Sequence, residues 1–215
     1  MGKAYRSMRT APRRYGWGMQ SFFDGIDGWD RNDGSLHVYA LPDEGVADRL
    51  ESLSERLDGV PGLPRMPRSW LHFTISRLAQ YDDLGQANLT RLADAIGARL
   101  STVGPFDLRV GAPRATDKAV DCTAEPSPEW DALVAAVRGA AVEAFPEDEL
   151  PAGPHAPHVA LAYAVGEVPD ADLEARLADA PEVGTVPIRG LHLVSVTMRP
   201  EVGTFDWTEL ANWEF

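Results

Sequence analysis

The chain has 215 residues, of which 44% are hydrophobic and 25% are charged. This composition is typical of a soluble globular protein with an apolar core, and no apolar run approaches the roughly 18 residues that a membrane-spanning helix needs. The formal net charge of −13 argues against binding to long nucleic acid, because that affinity comes largely from neutralising phosphates. The single cysteine, Cys122, excludes a disulfide framework and a cysteine-rich zinc site, and we expect a protein of the reducing cytoplasm.

The sequence divides into an N-terminal extension, residues 1–34, and one domain, residues 35–215. Residues 1–14 hold five basic and no acidic side chains. No apolar segment follows them, so we expect no secretory signal. Because no linker rich in glycine and serine interrupts the domain, we expect a monomer built from two packed halves, roughly 35–112 and 113–207. An exchange of strands between these halves is left open.

The first half predicts alternating strands and helices. A strand over residues 35–41 precedes a helix in which apolar residues recur every three or four positions over residues 46–57. A proline-rich loop then leads to a strand over residues 70–77. A helix over residues 84–100 and a strand over residues 106–110 complete this half.

The second half repeats that order. A strand over residues 119–124 precedes a helix whose start is indicated by Ser127 as the capping residue and Pro128 at the first helical position. A strand with a histidine follows, and then a helix over residues 170–180 and a long strand over residues 186–199. The repeated order of strand, helix, strand, helix, strand predicts an internal duplication.

Each half contains a similar short string after its first helix. Residues 72–75 read His-Phe-Thr-Ile, and residues 158–161 read His-Val-Ala-Leu. Because residues i and i+2 of a strand point to the same face, His72 projects with Thr74, and His158 projects with Ala160. Two such strands would put two imidazoles in one cleft, which suits acid–base chemistry near neutral pH.

These strings resemble the duplicated His-x-Thr/Ser motifs of the two-histidine (2H) phosphoesterases. That family includes bacterial 2′-5′ RNA ligase-like proteins and 2′,3′-cyclic nucleotide phosphodiesterases. The first string fits the motif fully, and residues 157–163 are similar to the second string of actinobacterial members except at Ala160, so the second motif is degenerate. The resemblance covers residues 35–207. It implies an α+β fold of two pseudo-twofold lobes, with mostly antiparallel sheets around a central cleft, helices outside, and an active site that needs no metal and no cofactor.

The resemblance also implies roles for individual residues. His72 and His158 are the expected catalytic residues, one as the base toward water and the other as the acid toward the leaving ribose oxygen. The motif is symmetric, so the assignment of acid and base stays open. Thr74 is expected to donate a hydrogen bond to a phosphate oxygen. With a ribose 5′-hydroxyl in place of water, the reverse reaction would form a 2′-5′ bond.

Ala160 is the departure that bears on activity, because loss of one phosphate donor costs roughly 10²–10³ in rate. Two further side chains are candidates to bind the phosphate. Ser76 shares the face of the first histidine by strict alternation, and Tyr39 lies on the neighbouring first strand. Arg77 and Tyr163 fall on the opposite face by the same alternation unless a bulge re-aims them.

The leading hypothesis is a metal-independent phosphodiesterase or RNA-end-processing enzyme that acts on a 2′,3′-cyclic phosphate or a 2′-5′ linkage. Its expected partner is a small phosphorylated substrate or an RNA end, with no membrane and no long duplex nucleic acid. Ala160 motivates two alternatives: a degenerate protein that binds a nucleotide or RNA end without turnover, and an enzyme repurposed to another small phosphodiester. His192, Trp207 and Trp213 are expected to have structural roles.

Overall fold

The computed structural model describes residues 18–24, 26, 29, 31–80, 85–147, 150–153 and 156–215. Its strands are β1 (Ser35–Ala40), β2 (Phe73–Gln80), β3 (Phe106–Ala115), β4 (Ala119–Ala124), β5 (His158–Tyr163), β6 (Gly184–Ile188), β7 (Gly190–Arg199) and β8 (Thr204–Glu214). Its helices are α1 (Glu44–Ser54), α2 (Gln86–Leu100), α3 (Pro128–Ala144) and α4 (Asp170–Leu177), with short 3₁₀ turns at Glu55–Leu57 and Arg68–Trp70. None of these helices has the length and apolar character needed to cross a bilayer.

The strands form two four-stranded antiparallel sheets. The first sheet has the order β2-β1-β7-β8, and the second sheet has the order β5-β4-β3-β6. Rings from the two sheets meet, since Tyr163 on β5 lies 5.3 Å from Phe205 on β8 between ring centroids. The predicted α+β fold with mostly antiparallel sheets is confirmed.

The two halves of the sequence exchange strands. The chain order β1-α1-β2-α2-β3 is followed by β4-α3-β5-α4-β6, as the repeated pattern predicts. However, β3 pairs with β4 and β6 of the second sheet, while β7 returns to pair with β1 of the first. Each sheet therefore draws strands from both sides of the midpoint of the chain.

The last part of the chain differs most from its sequence pattern. The expected strand over residues 186–199 is interrupted at Arg189, so that β6 and β7 belong to different sheets. The Arg189 carbonyl accepts a hydrogen bond from the Phe215 amide at 3.0 Å, which extends the pairing of β7 with β8 by one residue. Strand β8 is not predicted by the sequence, because a register shift opposite Leu193 and Val194 breaks its apolar alternation.

Helix α3 begins as predicted. The Ser127 hydroxyl accepts a hydrogen bond from the Trp130 amide at 3.2 Å, and Pro128 occupies the first turn. One face of the helix is buried, and it packs against α2 and β2. This packing holds β2, the strand that follows the first histidine, from the side opposite the second sheet.

The loop before the first histidine is tied to the strand that carries the second. The Met66 amide donates to the Leu161 carbonyl at 2.7 Å, and Arg65 forms an isolated antiparallel bridge with Ala162. The two histidine strings are therefore brought together by backbone hydrogen bonds as well as by side-chain packing.

Candidate active site

Both histidines are held by the same local hydrogen bond. His72 Nδ1 lies 2.8 Å from the Trp70 carbonyl oxygen, and His158 Nδ1 lies 3.0 Å from the Ala156 carbonyl oxygen. A carbonyl oxygen only accepts, so Nδ1 carries the hydrogen in each ring. Nε2 is therefore the atom through which each imidazole can exchange a proton with a substrate.

His72 is buried among aromatic rings. The Tyr39 ring stacks on it with centroids 3.9 Å apart, and the Trp207 ring meets it edge-on at 5.1 Å. Burial lowers the pKa of His72 to about 4; the bond to the Trp70 carbonyl opposes this shift, and the nearby charge of His158 adds to it. His72 is consequently a neutral imidazole near pH 7.

A bulge in β2 changes which residues follow His72 on its face. Thr74 lies opposite Tyr39 of β1, whereas Ser76 lies opposite Val38, which leaves Ile75 unpaired between them. Neighbouring residues of β1 point to opposite faces, so Thr74 and Ser76 do so as well. The strict alternation that groups Ser76 with Thr74 is therefore wrong.

The surroundings of Ser76 agree with this register. Its buried hydroxyl accepts a hydrogen bond from Arg138 Nη1 of α3 at 3.2 Å. Arg138 Nη2 also donates to the Pro151 carbonyl at 2.9 Å. Ser76 thus joins a strand to a helix on the outer side of the sheet and is not among the cleft residues.

The same bulge turns Arg77 toward the cleft. Arg77 lies opposite His37 of β1, and His37 shares the face of Tyr39. The pKa of His37 is lowered well below its ordinary value, mainly by burial and further by the charges of His72 and Arg77. The Arg77 guanidinium carbon lies 5.8 Å from the centre of the Trp29 ring. We call His72, Thr74, Arg77 and Tyr39 the first wall of the cleft.

The second histidine string carries a bulge at the equivalent position. Ala160 lies opposite Asp121, while Ala162 lies opposite Val120, which leaves Leu161 unpaired. Beyond the bulge, Tyr163 lies opposite Ala119 and so returns to the face of Ala160. We call His158, Ala160, Tyr163 and Asp121 the second wall of the cleft.

The second wall holds a carboxylate and a phenol. Burial raises the pKa of Asp121 to about 6, and the charge of His158 opposes that shift. Burial, together with the charge of Asp121, raises the pKa of Tyr163 far above its ordinary range. Tyr163 also contributes to the raised pKa of Tyr39, so the two walls face each other at this point, although burial is the main cause of that shift.

Tyr39 lies in the first wall as predicted from its strand, but its hydroxyl is engaged. That hydroxyl lies 2.9 Å from His37 Nδ1, and His37 Nε2 lies 3.1 Å from the Ser35 hydroxyl. Tyr39 therefore offers its ring to His72, while its polar end belongs to a buried network.

An N-terminal strap, residues 18–24, crosses one end of the cleft. Met19 and Val168 exchange backbone hydrogen bonds at 2.9 and 3.1 Å, and the Phe22 amide donates to the Ala164 carbonyl at 2.7 Å. The Phe22 ring lies 4.3 Å from the Tyr163 ring and 5.9 Å from the Phe205 ring. The strap therefore packs on residues of both sheets. The basic residues 1–14 lie outside the described residues.

The sequence model of the 2′-5′ RNA ligase superfamily matches residues 42–197. The chain belongs to this superfamily. The resemblance of the two histidine strings to the 2H phosphoesterases is confirmed by this match and by the solved structures that share the fold. No curated protein sequence matches the chain.

Several solved structures share the fold of this chain at low sequence identity. TT0787 of Thermus thermophilus is 22% identical with a TM-score of 0.66, covering 84% of this chain and 97% of its own. E. coli LigT in its apo form is 14% identical with a TM-score of 0.61, covering 86% and 98%. LigT complexed with 3′-AMP is 14% identical with a TM-score of 0.62, covering 85% and 98%.

As a member of the 2′-5′ RNA ligase superfamily, the chain brings four of the five predicted site residues to one cleft. His72, Thr74 and Tyr39 lie on the first wall, and His158 lies on the second. Ser76 is the exception. The described residues contain no cluster of three or more His, Cys, Asp or Glu side chains that could hold a metal ion.

The sequence analysis does not mention Asp121, expects a structural role for Trp207, and places Arg77 and Tyr163 in the cleft only if a bulge re-aims them. Arg77 and Tyr163 share a signal, because each stands five positions after a histidine, and the bulges place both in the cleft. Asp121 alternates with buried residues of β4, so its sequence position is that of an ordinary outward-facing residue and gives no clear signal of the cleft. Trp207 reaches the site through β8, a strand that the sequence pattern does not predict.

Proposed function

We propose that this protein cleaves a small phosphodiester, a 2′,3′-cyclic phosphate or a 2′-5′ linkage at an RNA end, with His72 and His158 as the acid–base pair. The superfamily itself supports an enzyme of the phosphodiester type. The observation that carries the proposal is the paired hydrogen bond of each Nδ1 to the carbonyl two residues earlier, which fixes the tautomer and makes Nε2 the proton-transfer atom of both rings.

The electrostatics favour distinct roles for the two rings. His72 is neutral near pH 7 and suits the base that takes a proton from water. His158 shares its face of the second wall with Asp121, and its charge lowers the pKa of that carboxyl against the effect of burial. We assign His158 as the acid that protonates the leaving ribose oxygen. In the reverse direction, a ribose hydroxyl would take the place of water.

The first wall supplies the groups that bind the phosphate. The Thr74 hydroxyl donates to one non-bridging oxygen, and the Arg77 guanidinium donates to the other. Such donors stabilise the charge that develops on these oxygens during displacement at phosphorus. Arg77 is thus the additional phosphate-binding residue of this wall, a role for which the sequence pattern favours Ser76.

Two observations support a small substrate rather than a long RNA. The strap covers one end of the cleft, and the net charge of −13 repels polyanions. LigT, the E. coli relative, has been crystallised with 3′-AMP and with phosphate, which are small phosphorylated ligands. The monomeric state and cytoplasmic location expected from the sequence stay predictions.

Hydrolysis of the four 2′,3′-cyclic nucleotides in EDTA tests this function. We expect turnover by the wild type and a loss of at least about 10²-fold for both His72→Ala and His158→Ala. His192→Ala is the control, because His192 on β7 is bound to Glu209 at 2.6 Å and has no role in the proposed reaction. Full activity of either His72→Ala or His158→Ala contradicts the proposed mechanism.

A second candidate function is binding of a nucleotide or RNA end without turnover. It is favoured by Ala160, which leaves the second wall without a hydroxyl at the position equivalent to Thr74. Under this alternative, wild-type protein binds 3′-AMP in calorimetry but hydrolyses none of the four cyclic nucleotides. Turnover of any of them, lost in the two histidine variants, excludes it. Turnover of a different phosphodiester alone supports repurposing.

A further inference from the structure

Asp121 has no role in the proposed reaction other than its proximity to His158, and its setting is unusual. It lies on β4 opposite Ala160, on the face that carries His158 and Tyr163. The side chain is half-buried, and burial and the charge of His158, with no hydrogen bond from any described residue, determine the pKa of its carboxyl. A desolvated carboxylate without a donor is unfavourable, so its retention in a cleft points to a ligand that supplies one.

The charged neighbours of Asp121 do not supply that donor. Arg114 lies opposite Asp121 on β3, but its side chain is exposed and no ion pair joins the two. His158 is held through Nδ1 to the Ala156 carbonyl, and Tyr163 packs among the rings of Phe22 and Phe205. Within the described part of the chain, the carboxylate therefore feels the charge of His158 but accepts no hydrogen bond, which leaves it available to a group in the cleft.

The two walls present different side chains at matching positions. Asp121 stands opposite Ala160 as Tyr39 stands opposite Thr74. The first wall thus presents a hydroxyl and a guanidinium, which bind anionic oxygens. The second wall presents a carboxylate at the matching position, which repels anionic oxygens and attracts hydrogen-bond donors.

We propose that Asp121 is a specificity-determining residue that accepts a hydrogen bond from a hydroxyl or amino group carried by the substrate beside its phosphodiester. This inference rests on the proposed function and deepens it. The phosphodiester oxygens lie on Thr74 and Arg77 of the first wall, and the donor lies on the second. The preferred substrates are therefore phosphodiesters with a neutral or cationic donor group, and those with a further phosphate near Asp121 are disfavoured.

Deletion of each donor from the substrate tests the proposal directly. Adenosine 2′,3′-cyclic phosphate is compared with its 5′-deoxy form, which lacks the hydroxyl, and with purine riboside 2′,3′-cyclic phosphate, which lacks the amino group. We expect one of these deletions to lower kcat/KM of the wild type by about 10- to 100-fold, and to lower that of Asp121→Asn by less than about 3-fold. The deletion that matters identifies the donor as hydroxyl or amino. Equal sensitivity of wild type and variant, with normal turnover, overturns the role of Asp121 and leaves the proposed function standing.

Calorimetry separates this inference from the proposed function if the wild type turns over none of the three substrates. With Asp121→Asn, we expect inorganic phosphate to bind more tightly, because a repelling charge is removed. We expect 3′-AMP to gain less affinity than inorganic phosphate, or to lose affinity, because its phosphate gains from the same removal while its donor loses a charged acceptor. An equal change for both ligands, or no change for either, overturns the proposal.

The Tm of Asp121→Asn distinguishes the proposed role of Asp121 from a purely structural one. Removal of an unpartnered, desolvated charge is expected to raise the Tm of Asp121→Asn, whereas loss of a structural contact lowers it. Asp107→Asn is the matched control, since Asp107 is an exposed carboxylate of the same sheet that pairs with Arg189 at 2.7 Å. A lower Tm for Asp121→Asn with unchanged ligand discrimination assigns Asp121 to structure and refutes the proposal.

Discussion

The two walls of the cleft share a backbone design and differ in the side chains that it displays. In each wall, a histidine donates from Nδ1 to the carbonyl two residues earlier. A bulge three residues after the histidine turns the fifth residue after the histidine back toward the cleft. The fifth residue is Arg77 on one wall and Tyr163 on the other. The hydrogen-bonding geometry that aims the imidazoles is thus set by the backbone, while the ligand chemistry is set by the residues around them.

This difference suggests that the duplicated fold can place the two histidines alike while the residues around them differ. A bulge and a main-chain carbonyl depend little on side-chain identity, so the placement of both histidines can survive substitution of their neighbours. In the proposed function, one wall binds the anion and the other binds a donor group. Variants that alter only one wall are the way to test this division of roles.

The largest effect is expected from Arg77 on the first wall. Arg77→Ala removes the proposed cation for the phosphate oxygens, so kcat/KM for 2′,3′-cyclic nucleotides should fall by about 10²–10³-fold. Arg77→Lys keeps the charge but not the forked geometry and should recover only part of this loss. Steady-state kinetics of the two variants measures the effect.

Ser76→Ala is the matched control for Arg77, because it changes the adjacent residue on the opposite face. It removes the acceptor for Arg138 and should lower the free energy of unfolding by about 1 kcal/mol with kcat/KM unchanged. If Ser76→Ala lowers kcat/KM as strongly as Arg77→Ala, the bulge does not divide these residues between two faces.

The walls should also respond to pH with opposite signs. The pKa of His72 falls from 6.5 to about 4 on folding, so its contribution to stability is lost as the pH decreases through that window. The pKa of Asp121 rises from 3.8 to about 6, so its unfavourable ionisation is relieved as the pH decreases through 6. The two contributions to stability therefore oppose each other as the pH decreases from 7 to 4.

Separate variants uncover the two contributions. His72→Gln should lose less stability than the wild type between pH 7 and pH 4, and Asp121→Asn should lose more. His37, whose pKa is lowered mainly by burial and further by the charge of His72, adds to the acid sensitivity of all three proteins, and somewhat less in His72→Gln, which acts in the same direction as the expected effect. Denaturant titrations at the two pH values give the difference, and parallel pH dependence in wild type and both variants contradicts the opposed signs.

Local sequence patterns are sufficient to predict the elements that depend on local physics. The Ser127 cap, the paired histidine strings and the apolar stripes follow from contacts within a few residues, and the structure confirms the elements that contain them. The bulges cannot be predicted in this way, because the register of β2 and β5 depends on the strands with which they pair. That is why strict alternation places Ser76 in the cleft and leaves Arg77 and Tyr163 outside it.

Local sequence also cannot predict which strand a given strand pairs with. The segment around Arg189 reads as one continuous strand, yet its two parts pair in different sheets, and β8 gains its order only from pairing with β7. The same limit applies to the place of Asp121 in the cleft. Its alternation with buried residues of β4 can be seen in the sequence, but the neighbours that make its face a cleft come from β5, which is distant in the sequence.

The smallest effect is expected from restoring the hydroxyl that Ala160 lacks, and this change tests most directly how the two walls differ. Ala160→Thr makes the second wall resemble the first at the position equivalent to Thr74. The new hydroxyl would stand beside Asp121 and donate to that carboxylate rather than to the phosphate, so we expect kcat/KM to rise less than about 3-fold. In an Asp121→Asn background that competing acceptor loses its charge, and the same substitution should raise kcat/KM by about 10-fold.

Ala162→Thr is the control, because this alanine lies beyond the bulge in the buried core and its enlargement should cost stability without any gain in rate. A 10-fold gain from Ala160→Thr alone would mean that Asp121 does not compete for the donor, and that the second wall binds the anion as the first does.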